Sequence, residues 1–442
     1  MVKLKLDDGS KFIIGRLTAA GYKAYAVGGC IRDLLSGKNP EDFDLASSAL
    51  PQQTIELFSD FPIIKTGLKH GTITVAINGE NYEITTFRRD GNYPDGRRPD
   101  RVDFVSDITE DLSRRDFTVN AMAYNDKDGL IDPFGGEKDI GNKMLKCVGD
   151  PEKRFTEDSL RILRLVRFSS TLGYRVEKNT AEYAKLLALG LKNVSCERIF
   201  AELNKMLAGK NVVAALLNFK SVIFEIFPEL RISDGFSQKT PWHKYDVYGH
   251  IARSVGYAKV DESERWCMLL HDIAKPETFS FSDGKGHFYG HAKRSAVIAE
   301  DIFDRLKFPT MLRKETSFLI ANHGYVLKND EKTIKRLLSK WGDRAFFKLL
   351  DVHRADNLAQ GTRFSETERK TLDEVEITAK RIIERGDCYK LSQLEVGGTE
   401  VAAAGFKGER IGEILDSLLS EVISGKLAND KAAILRRLKE LK

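Results

Sequence analysis

The sequence contains little cysteine and no long hydrophobic run. Its five cysteines among 442 residues are scattered, odd in number and never spaced as CxxC, which argues against a disulfide framework and against a thiolate zinc site. No uninterrupted stretch reaches the roughly 18 apolar residues of a membrane-spanning helix, and the first residues lack the apolar segment of a signal peptide. The sequence therefore predicts a cytoplasmic protein with no membrane partner.

Composition and charge restrict function only weakly. Hydrophobic residues make up 42% and charged residues 31% of the chain, which is ordinary for a soluble globular protein. A length of 442 residues allows two to four domains. The net charge of +5 is compatible with a polyanionic partner, although many metabolic enzymes are equally basic.

The first third of the chain has the pattern of an α/β domain. Asn78-Gly79 lies between two alternating segments and is a strong signal for a β-hairpin. A helix-like segment, Ile31–Leu35, follows a glycine pair. Extended segments are predicted at Ala24–Val27, Phe43–Leu45, Thr72–Ile77, Tyr82–Phe87 and Val102–Val105.

Helical periodicity dominates the chain after Pro151. Apolar residues recur at spacings of three and four in Leu160–Phe168, Ile199–Leu207 and Val212–Leu217. Seven of the eight histidines lie between about residues 240 and 357, and from Leu391 a helical segment has a glycine-rich start and a basic end. One α/β head followed by helical modules is the simplest interpretation.

The pair Asp42 and Asp44 is the first candidate for catalysis. On a strand, a spacing of two places both carboxylates on one face, with Phe43 pointing into the core. Adjacent carboxylates repel each other unless a cation compensates, and Mg²⁺ does so while it bridges phosphate oxygens and activates a hydroxyl. Taken alone, such a pair is more often two solvated turn residues.

A glycine turn precedes the aspartates. Gly28 and Gly29 separate a predicted strand from a helix start, where backbone amides favour a phosphate. Arg32 adds a forked donor for triphosphate oxygens. The alternative is a tight strand-to-helix turn without a ligand.

These segments resemble the signature of the polymerase-β-like nucleotidyltransferases, in the form of the bacterial class II tRNA CCA-adding enzymes and poly(A) polymerases. The resemblance rests on GGCIRD, EDFDLASSA and, from Arg114, RRDFTVNAMA. It implies that Asp42 and Asp44 hold catalytic Mg²⁺ and that Arg115 contacts the triphosphate. Glu83 is a further candidate for the carboxylate cluster. Without the neighbouring motif, a surface ion pair between Arg115 and Asp116 is the alternative.

The segment EDSLRILRLVRF carries a candidate for base selection. Asp158 and Arg161 are three apart, so on a helix they share one face and offer an acceptor and a planar set of donors. The alternative is a surface salt bridge. The segment resembles the family motif EDxxRxLRxxRF, which implies a protein template that selects C or A, with Arg164 and Arg167 as further nucleotide contacts. Helical geometry places Arg167 about half a turn from Asp158, so packing, phosphate or RNA contact are alternatives there.

Two segments bear on the choice between family branches. The segment 88–99, from Arg88 to Pro99, has the composition of a mobile surface loop and resembles the flexible loop that the family needs to add the final A. Lys65–Ile77 lacks the basic insertion of bacterial poly(A) polymerases, which favours the tRNA branch. Weaker matches at Ile131–Gly136 and Ser195–Ile199 are interpreted as structural, the latter with Glu197 and Arg198 stabilising the nucleotide helix.

Histidines and aspartates form a second set of candidates. Adjacent His271-Asp272 in an apolar stretch is costly to bury unless paired or metal-bound, and imidazole with carboxylate suits a transition metal. A scattered set is often coincidence, but the order H…HD…H…H…D resembles the HD phosphohydrolases. The resemblance implies a divalent metal site, in either an active phosphohydrolase or a structural body, at His250, His271, Asp272, His291, His323 and Asp356.

The predicted function is a template-independent tRNA nucleotidyltransferase that uses CTP and ATP, with no obligate protein partner. Lys407 and Arg410 lie in a tail that resembles the part of the family gripping the tRNA elbow; a connector with solvated charges is the alternative. Rival functions are a poly(A) polymerase and an HD phosphohydrolase with a non-catalytic RNA-binding head.

The predicted domains are a nucleotidyltransferase head with a mixed sheet at 1–148, a helical neck at 149–228, an HD-type body at 229–370 and a helical tRNA-binding tail at 371–442.

Overall fold

The computed structural model describes residues 3–68, 71–91, 101–361 and 365–441. The chain divides into two compact units, Met1–Pro228 and Glu229–Lys442. Among the helices in these ranges, none combines the length and apolar character needed to cross a membrane.

The first unit begins with a seven-stranded mixed sheet, which confirms the predicted head. Strand β2 runs parallel to β5, and the other neighbouring strands are antiparallel. In spatial order the sheet contains β3 (Ile63–Ile64), β4 (Thr72–Ile77), β5 (Glu80–Thr86), β2 (Asp44–Ser47), β1 (Ala24–Val27), β8 (Ala123–Asn125) and β9 (Gly129–Ile131). The accompanying helices are α1 (Asp8–Ala19), α2 (Gly29–Leu35), α3 (Pro51–Leu57), α4 (Ile108–Ser113) and α5 (Gly136–Gly141).

The β4–β5 hairpin forms where the sequence predicts it. Asn78 and Gly79 have φ angles of 53° and 87°, as a two-residue turn with both central residues in the left-handed region requires. The second predicted strand is shifted by one residue, because β2 begins at Asp44. Phe43 therefore precedes the strand and is only half-buried, so its predicted place in the core is wrong.

The predicted mobile loop at 88–99 is wrong at its first residues. Arg88–Asp90 forms strand β6, which pairs with β7 (Val102–Phe104) in a separate two-stranded sheet. Pairing with the extended segment beyond the loop satisfies the backbone groups of residues 88–90. The remainder of the predicted loop, 92–99, lies outside the described residues.

Helices complete the first unit, as the periodicity predicts. Helix α7 packs against α9 and α10, and it buries Ile162, Leu163, Leu165 and Val166 completely. The short strands β10 (Met144–Leu145) and β11 (Arg175–Val176) pair in parallel. The helices are α6 (Pro151–Glu157), α7 (Leu160–Leu172), α8 (Lys178–Leu186), α9 (Cys196–Leu207), α10 (Val212–Asn218) and α11 (Lys220–Ile226), with a 3-10 turn at Ala188–Asn193.

In its described residues, the second unit is helical apart from one hairpin, β12 (Ser280–Ser282) and β13 (Lys285–His287). One core cluster joins Leu338, Phe346, Val375 and Leu419, so the body and the start of the tail share buried side chains. The helices are α12 (Val247–Tyr257), α13 (Glu262–Leu270), α14 (His291–Arg305), α15 (Thr310–Asn322), α16 (Glu331–Trp341), α17 (Asp343–Gln360), α18 (Ser365–Glu384), α19 (Gly398–Ala403), α20 (Arg410–Ile423) and α21 (Lys431–Glu440). The domain boundary at 370/371 remains a prediction, and α18 runs across it.

Glu264 is a buried carboxyl whose ionisation opposes folding. It is 2% exposed, and Oε2 accepts no hydrogen bond. Burial, followed by the charges of Asp351 and Asp261, raises its pKa from 4.5 to about 7, against the smaller opposing effects of Lys259 and Lys348. Because the folded-state pKa exceeds the unfolded value, stability should fall as the pH rises from about 4.5 to about 7 and stay reduced above that range.

Glu264→Gln is therefore expected to stabilise the protein at alkaline pH. Glutamine has the shape of the protonated acid and does not ionise, so the gain at pH 8 should be on the order of 2 kcal/mol, with little change near pH 5. Thermal unfolding at both pH values measures the difference. Glu262→Gln, an exposed position in the same helical turn, is the control. An equal shift at pH 5 and pH 8 would contradict the ionisation argument.

Candidate nucleotide and metal sites

The turn between β1 and α2 requires glycine at position 28. Gly28 has φ +79°, a conformation that side chains rarely adopt. A Cβ at this position would also lie 2.8 Å from Arg115 Nη1. The turn thus places an arginine against the backbone at the start of α2.

Arg115 is held at this turn by a buried carboxylate. Its Nη2 lies 3.2 Å from Asp111 Oδ2, and Arg114 Nη2 lies 2.7 Å from Asp111 Oδ1. Burial raises the pKa of Asp111, but the two guanidinium groups outweigh burial and hold it below its usual value. Asp116 pairs instead with Arg164, so the alternative of an Arg115–Asp116 ion pair is wrong.

The start of β2 carries the carboxylates of the head, although Asp42 precedes the strand and does not share a strand face with Asp44 as predicted. Asp44 opens β2, and its register partner in the parallel strand β5 is Glu83. Loss of hydration, followed by the charge of Asp42 and less strongly that of Glu83, raises the pKa of Asp44, while Arg115 lowers it. Desolvation and neighbouring negative charge thus both disfavour the ionised form of Asp44, and a divalent cation would offset both. Paired strands thus bring Glu83 beside the predicted aspartates.

Three arginines from two sequence motifs lie around the ring of Phe168. The guanidinium carbons of Arg32, Arg164 and Arg167 lie 5.4, 5.5 and 4.0 Å from the centre of its ring. We call Arg32, Arg164 and Arg167 the arginine cluster. Arg32 belongs to α2 and the other two belong to α7, so the cluster connects the glycine turn to α7. Arg167 therefore lies beside Arg32 and Arg164, two of the other predicted nucleotide contacts.

Polar partners fix each member of the arginine cluster. Arg164 Nε donates to Asp116 Oδ2 at 2.7 Å, and Arg167 Nε lies 2.8 Å from Glu202 Oε2. Arg32 donates to Asp33 through Nε and Nη2, and to Asn120 Oδ1 through Nη1. Burial opposes the charge of Arg164, but Asp116 and Glu202 raise its pKa.

The premise that Asp158 and Arg161 share one helix is wrong. Asp158 is extended, with φ −142° and ψ 101°, between α6 and α7. Its Oδ1 accepts from Leu160 N at 3.1 Å, because aspartate competes for backbone donors and favours helix starts over helix interiors. Its Oδ2 lies 2.8 Å from Arg198 Nη2.

Arg161 is fixed by the protein itself. Its Nη1 donates to Glu157 Oε2 at 2.8 Å and to the Arg154 carbonyl, and its Nη2 donates to the Arg114 carbonyl at 2.9 Å. Asp158 and Arg161 therefore flank the start of α7 with separate partners.

Sequence reasoning did not identify the residues that hold the arginines. Asp116 was considered only as a partner of Arg115, and Glu157, Glu202 and Phe168 were assigned no role, although all four contact predicted site residues. Glu202 offered the clearest signal, since it falls among the apolar positions of α9 and is 8% exposed. A buried acid on an amphipathic helix requires a cationic partner.

Gly28→Ala is expected to lower nucleotide incorporation by about two orders of magnitude, since a displacement of about 1 Å at a reacting centre has that effect. The added Cβ would push Arg115 away and strain the backbone by about 1–2 kcal/mol. Gly15→Ala in α1 is the matched control, because its Cβ meets nothing within 4 Å. Incorporation rates of both variants under saturating nucleotide measure the effect, and wild-type activity of Gly28→Ala would contradict it.

The structure brings together all six residues of the predicted histidine–aspartate set in the second unit. Two groups have ligand atoms within 4.8 Å of one another and share Asp272: one adds His250, His271 and Asp356, the other His291 and His323. We call these six residues the HD cluster. Within the described ranges, no other group of three or more such side chains has its ligand atoms this close together. The ligand atoms of Asp42, Asp44 and Glu83 are therefore farther apart than those of the HD cluster.

The hydrogen bonds of the HD cluster leave its inner atoms available to a metal. Nδ1 of His271, His291 and His323 contacts the carbonyls of Met268, Phe288 and Ile320 at 2.7–2.9 Å, which leaves each Nε2 directed inward. Both Asp272 oxygens and Asp356 Oδ1 are buried, and His250 Nε2 lies 3.2 Å from Asp272 Oδ2 and 2.8 Å from Asp356 Oδ1. Buried carboxylates facing several imidazoles fit a divalent transition metal.

Charge within the HD cluster is strongly coupled. Burial lowers the pKa of His271, but Asp272 and Asp356 outweigh burial and raise it to about 9. At His291, burial dominates and lowers the pKa to about 4. Lys275 Nζ adds a cation 2.6 Å from Asp272 Oδ2.

The predicted RNA contacts lie on the surface of the tail. Lys407 is exposed between α19 and α20, and Arg410 Nη1 pairs with Glu413 Oε2 at 2.7 Å.

Three family models match successive parts of the chain. The poly A polymerase head domain matches residues 24–146, the probable RNA- and SrmB-binding site of polymerase A matches 173–232, and the HD domain matches 246–361. The matched ranges contain the carboxylates of the head, the helices after α7 and the HD cluster.

Relatives match nearly the whole chain. The CCA-adding enzyme of Ligilactobacillus salivarius is 31% identical over 97% of this chain and 95% of its own length. That of Oceanobacillus iheyensis is 45% identical over 46% of this chain and 50% of its own length. The crystal structure of the Bacillus stearothermophilus CCA-adding enzyme in complex with CTP is 29% identical, with a TM-score of 0.69, and the match covers 97% of this chain and 96% of that one.

Proposed function

Because the chain belongs to the family of CCA-adding enzymes and is a nucleotidyltransferase, we propose that it adds C and A to the 3′ end of tRNA. CTP and ATP are the donors, and no nucleic-acid template is used. The observation that carries this proposal is the placement of Asp44 beside its register partner Glu83 at the start of β2, with Arg115 against the glycine turn, in a chain that matches a CCA-adding enzyme over 97% of its length. A cytoplasmic location is part of the proposal.

The family implies a divalent metal, and we assign Mg²⁺ to Asp42 and Asp44, with Glu83 as their neighbour. When bound, the ion lowers the pKa of the attacking 3′-hydroxyl and neutralises charge on the phosphates. Arg115, fixed by Asp111, faces the turn at Gly28 and binds the triphosphate. Arg32 and Arg164 add positive charge from the arginine cluster.

Asp158 and Arg161 recognise the base in this proposal. Cytosine and adenine both present an exocyclic amino group, whereas uracil and guanine present a carbonyl oxygen there. Each oxygen of Asp158 has one contact in the structure, to Leu160 N and to Arg198, and a carboxylate oxygen accepts more than one hydrogen bond. Arg198 and Glu157 act as positioning residues, because they orient Asp158 and Arg161.

Product sequencing tests the proposed function. The protein is incubated with tRNA lacking its last three nucleotides and with CTP alone, ATP alone or both. We expect two C residues with CTP and a single completed CCA with both nucleotides. Long A tails would identify a poly(A) polymerase, and no incorporation would favour a phosphohydrolase with a non-catalytic head.

We propose a second activity for the HD cluster, metal-dependent hydrolysis of phosphate esters. The support is the shared Asp272, the inward Nε2 atoms and the buried carboxylate oxygens that face them. A divalent metal bound there supplies a Lewis acid and an activated water. The six residues fit such an ion by donor type and by burial.

A chelator-sensitive phosphatase assay tests this second activity. His271→Ala and Asp272→Ala should each lose bound metal, measured by elemental analysis, and lose phosphatase activity, while nucleotide incorporation is retained. Asp42→Ala should show the reverse pattern. Phosphatase activity that survives in both HD variants would refute the assignment.

The tail is assigned to tRNA, with Lys407 and Arg410 contacting phosphates. Such contacts release counterions, so tRNA binding should weaken steeply with salt. A reduced salt slope in Lys407→Ala, measured by filter binding, would support the assignment, and an unchanged slope would oppose it.

A further inference from the structure

The β12–β13 hairpin has two chemically different faces. Its register pairs Ser280 with His287, and Ser282 with Lys285. Because successive side chains of a strand point to opposite faces, these four residues share one face, which we call the basic face. Phe281 lies between the two serines and therefore belongs to the opposite face, where it is 58% exposed.

Tyr289 is an exposed aromatic ring that is held in place at the basic face. It is 78% exposed, and its ring stacks on that of His287 with a centroid distance of 5.3 Å and an interplanar angle of 5°. The Tyr289 hydroxyl lies 3.3 Å from His287 Nδ1. The imidazole covers one side of the tyrosine ring, and the other side faces solvent. A ring that is already ordered loses little further freedom when a second flat group stacks on it.

A second aromatic ring lies at the same face, beside Lys285. The Nζ atom of Lys285 is 5.2 Å from the centre of the Trp242 ring, and Trp242 is 41% exposed. Lys285 and His287 are two residues apart, which is about 7 Å along β13. Trp242 and Tyr289 therefore contact neighbouring positions of one face.

A polar cavity beside the hairpin turn adds two more lysines to this surface. Its volume is about 370 Å³, and it is lined by residues between 235 and 246 and by the hairpin turn. Lys239 and Lys244 line it and are exposed. Gly286 N donates to the Lys239 carbonyl at 2.9 Å, which ties this segment to β13. With Lys285, three ammonium groups thus belong to the surface that carries the two rings.

Positive charge exceeds negative charge on this surface. In segments 235–246 and 280–289, three lysines accompany two aspartates, Asp246 and Asp283. Asp246 Oδ2 accepts from Gly235 N at 2.6 Å, and its Oδ1 accepts from Gly249 N at 2.8 Å. These backbone donors stabilise the charge of Asp246 as the N-cap of α12. The surface is therefore suited to a polyanion with flat, apolar groups.

We propose that this surface binds single-stranded RNA. Unpaired bases stack on Trp242 and on the outer side of Tyr289, while the phosphates of the strand contact Lys239, Lys244 and Lys285. Aromatic rings combined with a basic groove bind single strands with little sequence preference, because every base has a π face. Paired bases in a double helix are stacked on one another and are not splayed out for two exposed rings.

The RNA surface is separate from the sites proposed above. It uses none of the head carboxylates, none of the six residues of the HD cluster, and neither Lys407 nor Arg410. A wild-type protein that binds single-stranded RNA here but adds no nucleotide to tRNA would refute the proposed function and leave this surface in place.

Tryptophan fluorescence reports directly on one of the two rings. The chain contains three tryptophans; Trp266 is fully buried, and Trp341 packs against a helical core. A base that stacks on Trp242 should quench its emission. The full-length protein is titrated with a short oligouridylate, and the anisotropy of a labelled copy measures affinity. We expect Trp242→Phe to retain most of the affinity, since phenylalanine still stacks, and to lose the quenching.

Tyr289→Ala is expected to bind the oligouridylate about tenfold more weakly, which corresponds to about 1.4 kcal/mol and lies within the range for one base–aromatic stack. Tyr289→Phe keeps the ring and should bind like wild type. Phe281→Ala is the matched control, because it removes an exposed aromatic ring from the opposite face of the same hairpin.

The double variant Lys239→Ala/Lys244→Ala should bind with a weaker dependence on salt. The slope of log affinity against log salt should decrease by about 1.4, since each phosphate contact to a single strand contributes about 0.7. Lys328→Ala/Lys332→Ala removes two exposed lysines elsewhere in the same unit and should leave the slope unchanged.

Four results would overturn the proposal. They are unchanged affinity in Tyr289→Ala, quenching that persists in Trp242→Phe, an equal loss of affinity in Phe281→Ala, and competition by double-stranded RNA that is as strong as competition by a single strand. Should Tyr289→Ala fail to fold, the quenching lost or kept in Trp242→Phe still decides the question.

Discussion

Asp44→Asn is expected to lower nucleotide incorporation on the order of a thousandfold, as loss of a group that stabilises developing charge does. The amide keeps the size of the side chain but removes the negative charge that attracts the metal. Single-nucleotide addition from CTP to shortened tRNA measures the rate. Asp42→Asn should have an effect of the same order, since the proposal assigns both carboxylates to the same cation.

The same substitution should leave the metal-free protein as stable as wild type, or more stable. The pKa of Asp44 is raised in the folded state, because partial desolvation and the charge of Asp42 disfavour its ionised form. Above the ordinary carboxyl pKa this cost is present in the wild type, and a neutral asparagine removes it. Thermal unfolding in the presence of a chelator separates the two effects.

Asp60→Asn provides the control for a simple loss of charge in the head. Asp60 is exposed and pairs with Arg16 on α1, so its substitution should leave incorporation unchanged. If Asp44→Asn incorporates nucleotide at a rate within about threefold of wild type, a span that corresponds to less than 1 kcal/mol, the metal assignment in the head is wrong.

Asp158→Asn is expected to relax the choice of base. The asparagine oxygen still accepts from Leu160 N and preserves the start of α7. Its amide group replaces the oxygen that accepts from Arg198 and therefore donates where the carboxylate accepted. A donor at that position favours the carbonyl oxygens of uracil and guanine over the amino groups of cytosine and adenine. Discrimination against UTP should therefore fall by about 1–3 kcal/mol, roughly 5- to 150-fold.

Competition between CTP and UTP on shortened tRNA, followed by product sequencing, measures this change. The matched control is Asp150→Asn, which also starts a helix, since Asp150 Oδ1 accepts from Glu152 N at 3.1 Å. Unchanged base choice in Asp158→Asn, with normal incorporation, would remove Asp158 from the proposed template.

Local signals in the sequence predicted the parts of the fold that local interactions determine. The β4–β5 hairpin follows from Asn78-Gly79, because few residues other than asparagine and glycine adopt left-handed angles in succession. The turn at Gly28 was also placed correctly, because glycine adopts a positive φ without strain. Apolar spacing predicted α7 and α9, whose buried faces pack against each other.

The partners of the charged residues could not be predicted, because they are distant in sequence. Arg164 meets Asp116 across 48 residues, and Arg198 meets Asp158 across 40. Helical spacing suggested that Asp158 would face Arg161, yet a backbone donor and Arg198 hold it outside both helices. The six HD residues were identified because their order resembles a known family, whereas their spacing alone left coincidence open.

The sharing of Asp272 by both ligand groups has an evolutionary consequence. Loss of His291 or His323 would leave the group of His250, His271, Asp272 and Asp356 intact, so the metal centre could be lost in two steps. Aspartate and asparagine codons differ by a single base, and one such change at position 272 would disable both halves at once. A lineage could thus discard the proposed hydrolysis by one substitution and keep the nucleotidyltransferase head unchanged.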